Sequence, residues 1–215
     1  MKKIAIVLSG CGVFDGTEIH EATMSMLAVD QAGAQYELFA PDIDQHHVIN
    51  HLTGKQSEGT RNVLVESARI ARGKIRNLKD FNPAEFDALL FPGGSGAVKN
   101  LSDYAVEGAA IKVNADVEKA IQSMHAAGKP IGALCIAPVL LAKVIEGCNV
   151  TIGNDKKTTS HIEQIGSHHS IASATGIVID EKNKLVTTPC YMLGTRISEI
   201  YEGAEKVVVA LMKMM

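Results

Sequence analysis

The feature that most constrains this chain is a repeated switch between short, wholly apolar runs and longer stretches with helical spacing. Residues 4–8, Ile-Ala-Ile-Val-Leu, are apolar at every position. A strand of that kind has no face to turn to water and must be covered on both sides. Glycine-rich residues 10–16 read as a turn, and a helix follows from about Thr17 to Gly33. Asp15 and Thr17 both offer it a cap, and Ile19, Ala22, Met26 and Val29 form its apolar stripe. The pattern recurs. Residues 36–39, 87–91 and 130–134 read as strands, and 113–127, 137–145 and 196–214 as helices. Residues 149–152, 170–173, 177–179 and 185–188 read as shorter strands. Strands separated by helices require crossovers, which give a parallel sheet with helices on both faces.

Residues 41–80 break the rhythm. They combine an irregular stretch with a helix over residues 61–71, and read as an insertion near the sheet edge. Arg61, Arg69, Arg72, Lys74, Arg76 and Lys79 gather there, with Glu66 between them, as on a solvated helix. No linker, repeat or low-complexity segment divides the 215 residues. The expectation is one doubly wound α/β domain over residues 1–215, with ligands bound beyond the carboxyl ends of the strands.

Composition narrows the partners. Apolar residues make up 46% and charged residues 21%, so the chain is globular. There is no Trp and only 4% aromatic residues, which leaves no platform for stacking bases. A net charge of -3 argues against nucleic acid or an anionic membrane as a partner. Cys11, Cys135, Cys148 and Cys190 form no C-x-x-C pair and are too sparse for a disulfide scaffold. No metal site is expected, and a reducing, cytoplasmic setting is. The five apolar residues near the amino end fall short of the roughly 7–15 of a secretory signal.

Three strand ends carry chemistry. The first is Gly132-Ala133-Leu134-Cys135-Ile136-Ala137-Pro138. It runs a buried strand into Cys135 and straight into a helix, as in a nucleophile elbow. Pro138 suits a first helical turn. The helix dipole would favour a low-pKa thiolate at Cys135, although a cysteine is also a common buried small residue. The second is Phe91-Pro92-Gly93-Gly94-Ser95-Gly96. Its glycines let backbone N–H groups enter a cleft, where they could hold an oxyanion together with the N–H of Ile136. It lacks the glycine spacing of a phosphate loop. The third is the glycine turn holding Cys11, with Glu18 and Glu21 on the helix behind it. Glu18 reads as part of a solvated face, and Glu21 lies off the apolar stripe.

Together these residues resemble the ThiJ/PfpI superfamily, of class I glutamine amidotransferase-like, flavodoxin-like fold. The likeness spans nearly the whole chain. Residues 48–54, 60–64 and 187–189 look like its ElbB branch, the enhancing-lycopene-biosynthesis proteins. The resemblance implies that Cys135 is the nucleophile and Glu21 its buried partner. The equivalent glutamate stands twelve residues before the glycine of an Ala-Gly pair, here Ala32-Gly33. The oxyanion donors fall on the backbone N–H groups of Gly94 and Ile136. Glu18, Cys11 and His169 are additional candidates. A homodimer is implied. Protease-like relatives have His after the cysteine, where this chain has Ile136, and residues 151–155 offer none either. A Cys–His–acid hydrolase is therefore not expected.

A thiol, a carboxyl and an oxyanion hole suffice for a cofactor-free glyoxalase, in which the thiol adds to a small 2-oxoaldehyde and the carboxyl moves a proton between two carbons. Glyoxal would become glycolate, and methylglyoxal lactate. The rival reading is a cysteine-based redox sensor with little turnover.

Overall fold

The computed structural model describes residues 1–215. Along the chain, β1 (Lys3–Val7) leads to α1 (Ile19–Gln31) and β2 (Gln35–Ala40). A hairpin of β3 (Val48–Asn50) and β4 (Lys55–Ser57) precedes α2 (Val63–Ile70) and the two-residue β5 (Arg76–Asn77). Then come β6 (Ala88–Phe91), α3 (Ser95–Lys99), α4 (Tyr104–Glu107), α5 (Ala115–Ala126), β7 (Ile131–Leu134) and α6 (Pro138–Val144). The chain continues through β8 (Asn149–Val150), α7 (Lys156–Gln164), β9 (His168–His169), β10 (Val178–Asp180), β11 (Leu185–Thr188) and α8 (Ile197–Met214).

Seven strands form one sheet in the order β10-β11-β7-β6-β1-β2-β5. All neighbours are parallel except β10 and β11. This is the flavodoxin-like α/β architecture expected for the chain. Ala5, Val7, Leu89 and Phe91 pack one face against Val117 and Ile121 of α5 and Leu140 of α6. Ile4, Ile6 and Leu90 pack the other against α1 and α8. The chain enters at the centre with β1, winds out to β2 and β5, and returns to β6 on the opposite side. The crevice between the carboxyl ends of β1 and β6 is therefore the switch point where such sheets bind ligands.

Three local expectations are corrected. The buried face of α1 is Glu21, Ala22, Ser25, Ala28 and Val29, while Ile19 is exposed. The helix is rotated from the stripe that its largest apolar residues suggest, because it packs its small residues against α8 and the sheet. Its cap is Glu18, whose Oε2 accepts from Glu21 N at 2.7 Å. Asp15 and Thr17 are occupied elsewhere, with Ile49 N and Ser9 N. Residues 170–173 form no strand, and the pairing with β8 is made by His168 and His169. Helix α7 has only two buried residues, Thr158 and Ile162, so no apolar stripe announces it.

The 41–80 insertion extends the sheet through β5, and its hairpin braces the loop after β1. Asp15 Oδ2 accepts from Ile49 N at 2.7 Å, and His51 Nε2 accepts from Phe14 N at 3.2 Å. Its basic residues do not form one free cationic face. Arg61 and Arg69 pair with Glu66, and Arg76 pairs with Glu37 and Glu85.

Candidate active site

Cys135 follows the last residue of β7 and turns the chain into α6 with φ 61. A left-handed conformation is costly for a residue with a Cβ and signals a site held in place by its surroundings. Here the Cys135 N–H is tied to Thr188 O at 2.9 Å, and Ala137 N closes the turn onto Leu134 O at 3.0 Å. The side chain is almost entirely buried, with the residue 7% exposed.

Glu21 arrives from α1 and is 0% exposed. Its Oε2 accepts from Gly93 N at 2.9 Å and its Oε1 from Tyr191 N at 3.2 Å. The carboxyl and the Cys135 sulfur flank the same small space, which a Cβ at Gly93 would fill. Gly93 makes this meeting possible. A Cβ there would run into Cys135 Cβ, Glu21 Oε2 and Cys135 Sγ together. The space it leaves empty is where the thiol and the carboxyl converge.

The backbone donors surround the same sulfur. Gly94, at φ 98, turns its N–H toward Cys135. A side chain at Gly94 would collide with the backbone of Gly16, Thr17 and Glu18. The Ile136 N–H has no acceptor within the protein and remains available to a ligand oxygen.

Electrostatics run against the expectation of a low-pKa thiol. Burial, and then the Glu18 carboxylate, push Glu21 up to about 8, despite the opposing N–H bonds from Tyr191 and Gly93. Burial and the charge of Glu21 push Cys135 well above the ordinary thiol range. Helix α6, which follows the cysteine, has only seven residues. Both shifts favour the protonated forms of the pair.

Glu18 is not the solvated residue expected. It is 8% exposed, caps α1 and donates its own N–H to Gly93 O at 3.0 Å. It borders Glu21 and raises its proton affinity. Cys11 turns toward α2, where Glu66, Arg69 and Arg61 surround it. His169 Nε2 accepts from Ile152 N at 3.3 Å, with Thr159 Oγ1 3.4 Å from its Nδ1. Its bonds thus serve the β8–β9 region and not the Cys135–Glu21 pair. Sequence reasoning missed Tyr191 and His20. Tyr191 supplies the second N–H to Glu21, and its hydroxyl meets His20 Nδ1 at 2.7 Å. The only signal for Tyr191 was its place just past a strand that pairs with β7; His20 carried none beyond adjacency to Glu21.

Comparison with known proteins agrees with this architecture. The chain is 49% identical over 211 residues to the Homo sapiens "glutamine amidotransferase-like class 1 domain-containing protein 3, mitochondrial", covering 94% of this chain and 79% of that one. It is 35% identical over 230 residues to the Danio rerio "ES1 protein, mitochondrial", covering 98% and 85%. A crystal structure from Ehrlichia chaffeensis, described as an isoprenoid biosynthesis protein with amidotransferase-like domain, superposes with a TM-score of 0.92 at 31% identity. That match covers 99% of this chain and 100% of that one. No helix is long and apolar enough to cross a membrane. The family model described as DJ-1/PfpI matches residues 3–190, and with these relatives it shows that the chain belongs to the DJ-1/PfpI family.

Proposed function

We propose that the chain is a glutathione-independent glyoxalase that converts small 2-oxoaldehydes to 2-hydroxy acids. The observation that carries this reading is the fully buried Glu21 carboxyl, held by two N–H donors at the Cys135 sulfur with its proton affinity raised to about 8. A general acid–base works best when its pKa lies near the operating pH.

The reacting form is the pair after loss of one proton. The Cys135 sulfur adds to the aldehyde carbon, and the Gly94 and Ile136 N–H groups receive the oxyanion. Glu21 gives its proton to that oxygen, completing a hemithioacetal. As carboxylate it then takes the hydrogen from the former aldehyde carbon and returns it to the neighbouring carbon, while the hydroxyl proton of the hemithioacetal passes to the neighbouring oxygen. The product is a thioester of a 2-hydroxy acid. Water cleaves it and restores the thiol. No atom is gained or lost before that hydrolysis, so no cofactor or external electron acceptor enters the balance. The shielded pair limits the substrate to a small, polar dicarbonyl such as glyoxal or methylglyoxal. The same reading carries a homodimer and a reducing compartment.

Turnover of glyoxal and methylglyoxal by purified protein tests it. Cys135→Ala should abolish activity, and Glu21→Gln should lower kcat by about 10²–10⁴-fold. Full activity in Cys135→Ala would overturn the mechanism. Negligible turnover by the wild type would favour a redox sensor.

A further inference from the structure

Only four residues other than glycine have positive φ: Arg72, Cys135, Lys184 and Cys190. Two of them are cysteines, and these stand beyond the ends of adjacent parallel strands. β7 and β11 pair Leu134 with Thr188, and Cys135 N then donates to Thr188 O at 2.9 Å. Cys190, at φ 43, stands two residues past Thr188. The next N–H, from Tyr191, bonds to the carboxyl of Glu21, which itself flanks the small space at Gly93 together with the Cys135 sulfur. Both thiols belong to one apolar cluster, and the charge of Glu21 acts on both.

The glyoxalase steps use nothing from Cys190. Its burial needs no sulfur, and its left-handed backbone costs more than an extended one would. Its Sγ rests 3.9 Å from Ile200 O, beside Thr188 and Gly203. A short 3-10 turn, Cys190–Met192, carries it. For the two sulfurs to meet, the Cys190 side chain must leave Ile200 O and the Cys190–Met192 turn must relax. The other cysteines have different surroundings: Cys11 faces α2, and Cys148 meets Ser167.

We propose that Cys190 is the resolving thiol of Cys135, so that a hydroperoxide closes a reversible Cys135–Cys190 disulfide. The Cys135 thiolate attacks the terminal oxygen of the peroxide, and the O–O bond breaks. Sulfur is oxidised by two electrons to the sulfenic acid, while the peroxide is reduced to hydroxide or alcohol. The Cys190 sulfur, its proton passed to Glu21, then attacks the Cys135 sulfur. The S–S bond forms, the S–O bond breaks, and the hydroxyl leaves as water with that proton. A dithiol reductant reopens the bond by exchange. Capture by Cys190 spares Cys135 from irreversible sulfinic acid.

This rests on Cys135 being the reactive thiol of the proposed function, but its readout is oxidation and not turnover. Full-length wild type and Cys190→Ser are treated with equimolar hydrogen peroxide and mapped by mass spectrometry without reduction. In wild type, the Cys135 and Cys190 peptides should be linked with loss of two hydrogens, and dithiothreitol should separate them. In Cys190→Ser, Cys135 should instead gain two oxygens that dithiothreitol does not remove. Should that variant misfold, the wild-type map decides alone. Wild-type Cys135 carried to sulfinic acid with Cys190 still alkylatable overturns the resolving role and leaves the glyoxalase reading intact. Cys135 untouched by peroxide overturns the resolving role; if glyoxal turnover is also absent, the nucleophile assignment falls with it.

Discussion

At the scale of single residues, the site works by proximity and burial. Burial raises the proton affinity of both Glu21 and Cys135, and the charge of Glu21 raises that of Cys135 further, so the pair becomes reactive only as it sheds a proton. Alkylation of Cys135 by iodoacetamide, followed by peptide mass spectrometry from pH 6 to 10, should therefore stay slow at neutral pH and rise only toward the alkaline end of that range. Glu21→Gln removes the charge that opposes the thiolate. It should move the alkylation profile to lower pH while it lowers glyoxal turnover, a divergence that simple unfolding would not produce. Gly93 is the other decisive residue, since its absent Cβ is what lets the two side chains meet. Gly93→Ala should cost about 1–3 kcal/mol by overpacking, visible as a lower Tm, and should abolish turnover. Cys135 and Gly93 were legible from the elbow and glycine motifs. Tyr191 was not, because its contribution to Glu21 is a backbone N–H that any residue could supply.

At the scale of elements, α1 shows why apolar spacing misled. Its inward face is built on Ala22, Ala28 and Val29, with Glu21 and Ser25 between them, and Ile19 is left outside. Close packing on α8 favours small side chains over large ones, and the acid is tolerated because two N–H groups meet it. Ser25 has no such compensation: its Oγ is buried with no hydrogen-bond partner. An unsatisfied buried hydroxyl is a cost, and alanine also has the higher helix propensity. Ser25→Ala should therefore leave the fold unchanged or stabilise it by about 1 kcal/mol in urea unfolding. A clear loss of stability would show that the hydroxyl has a partner. The strands were easier to read than α1, since an apolar run of four or five residues has only one use in this architecture. Helix α7 was illegible because just Thr158 and Ile162 of its nine residues are buried.

At the scale of the whole molecule, the buried acid sits where β1, β6, β7 and β11 end, so its ionisation bears on the stability of the fold. Its pKa rises from 4.5 to about 8 on folding, and the folded state holds the proton more tightly. The contribution of Glu21 is thus fully present below pH 4.5 and is lost as pH rises to about 8, by at most about 1.4 kcal/mol per pH unit. The Tm of wild type minus that of Glu21→Gln should fall across that window. A flat difference would mean that folding leaves the pKa of Glu21 unshifted. The sequence by itself determined the alternating α/β architecture, the elbow at Cys135 and the glycines opposite it. Each of these is written in consecutive residues, as an apolar run, a turn or a missing side chain. Only the tertiary structure decided that Glu21 points inward, that Glu18 caps its helix, and that burial and the Glu21 charge raise the proton affinity of the thiol rather than lower it. It alone brought the Tyr191 N–H onto that carboxyl. Those outcomes depend on how α1 is rotated and on which groups burial strips of water, and both are settled by contacts between residues far apart in the chain.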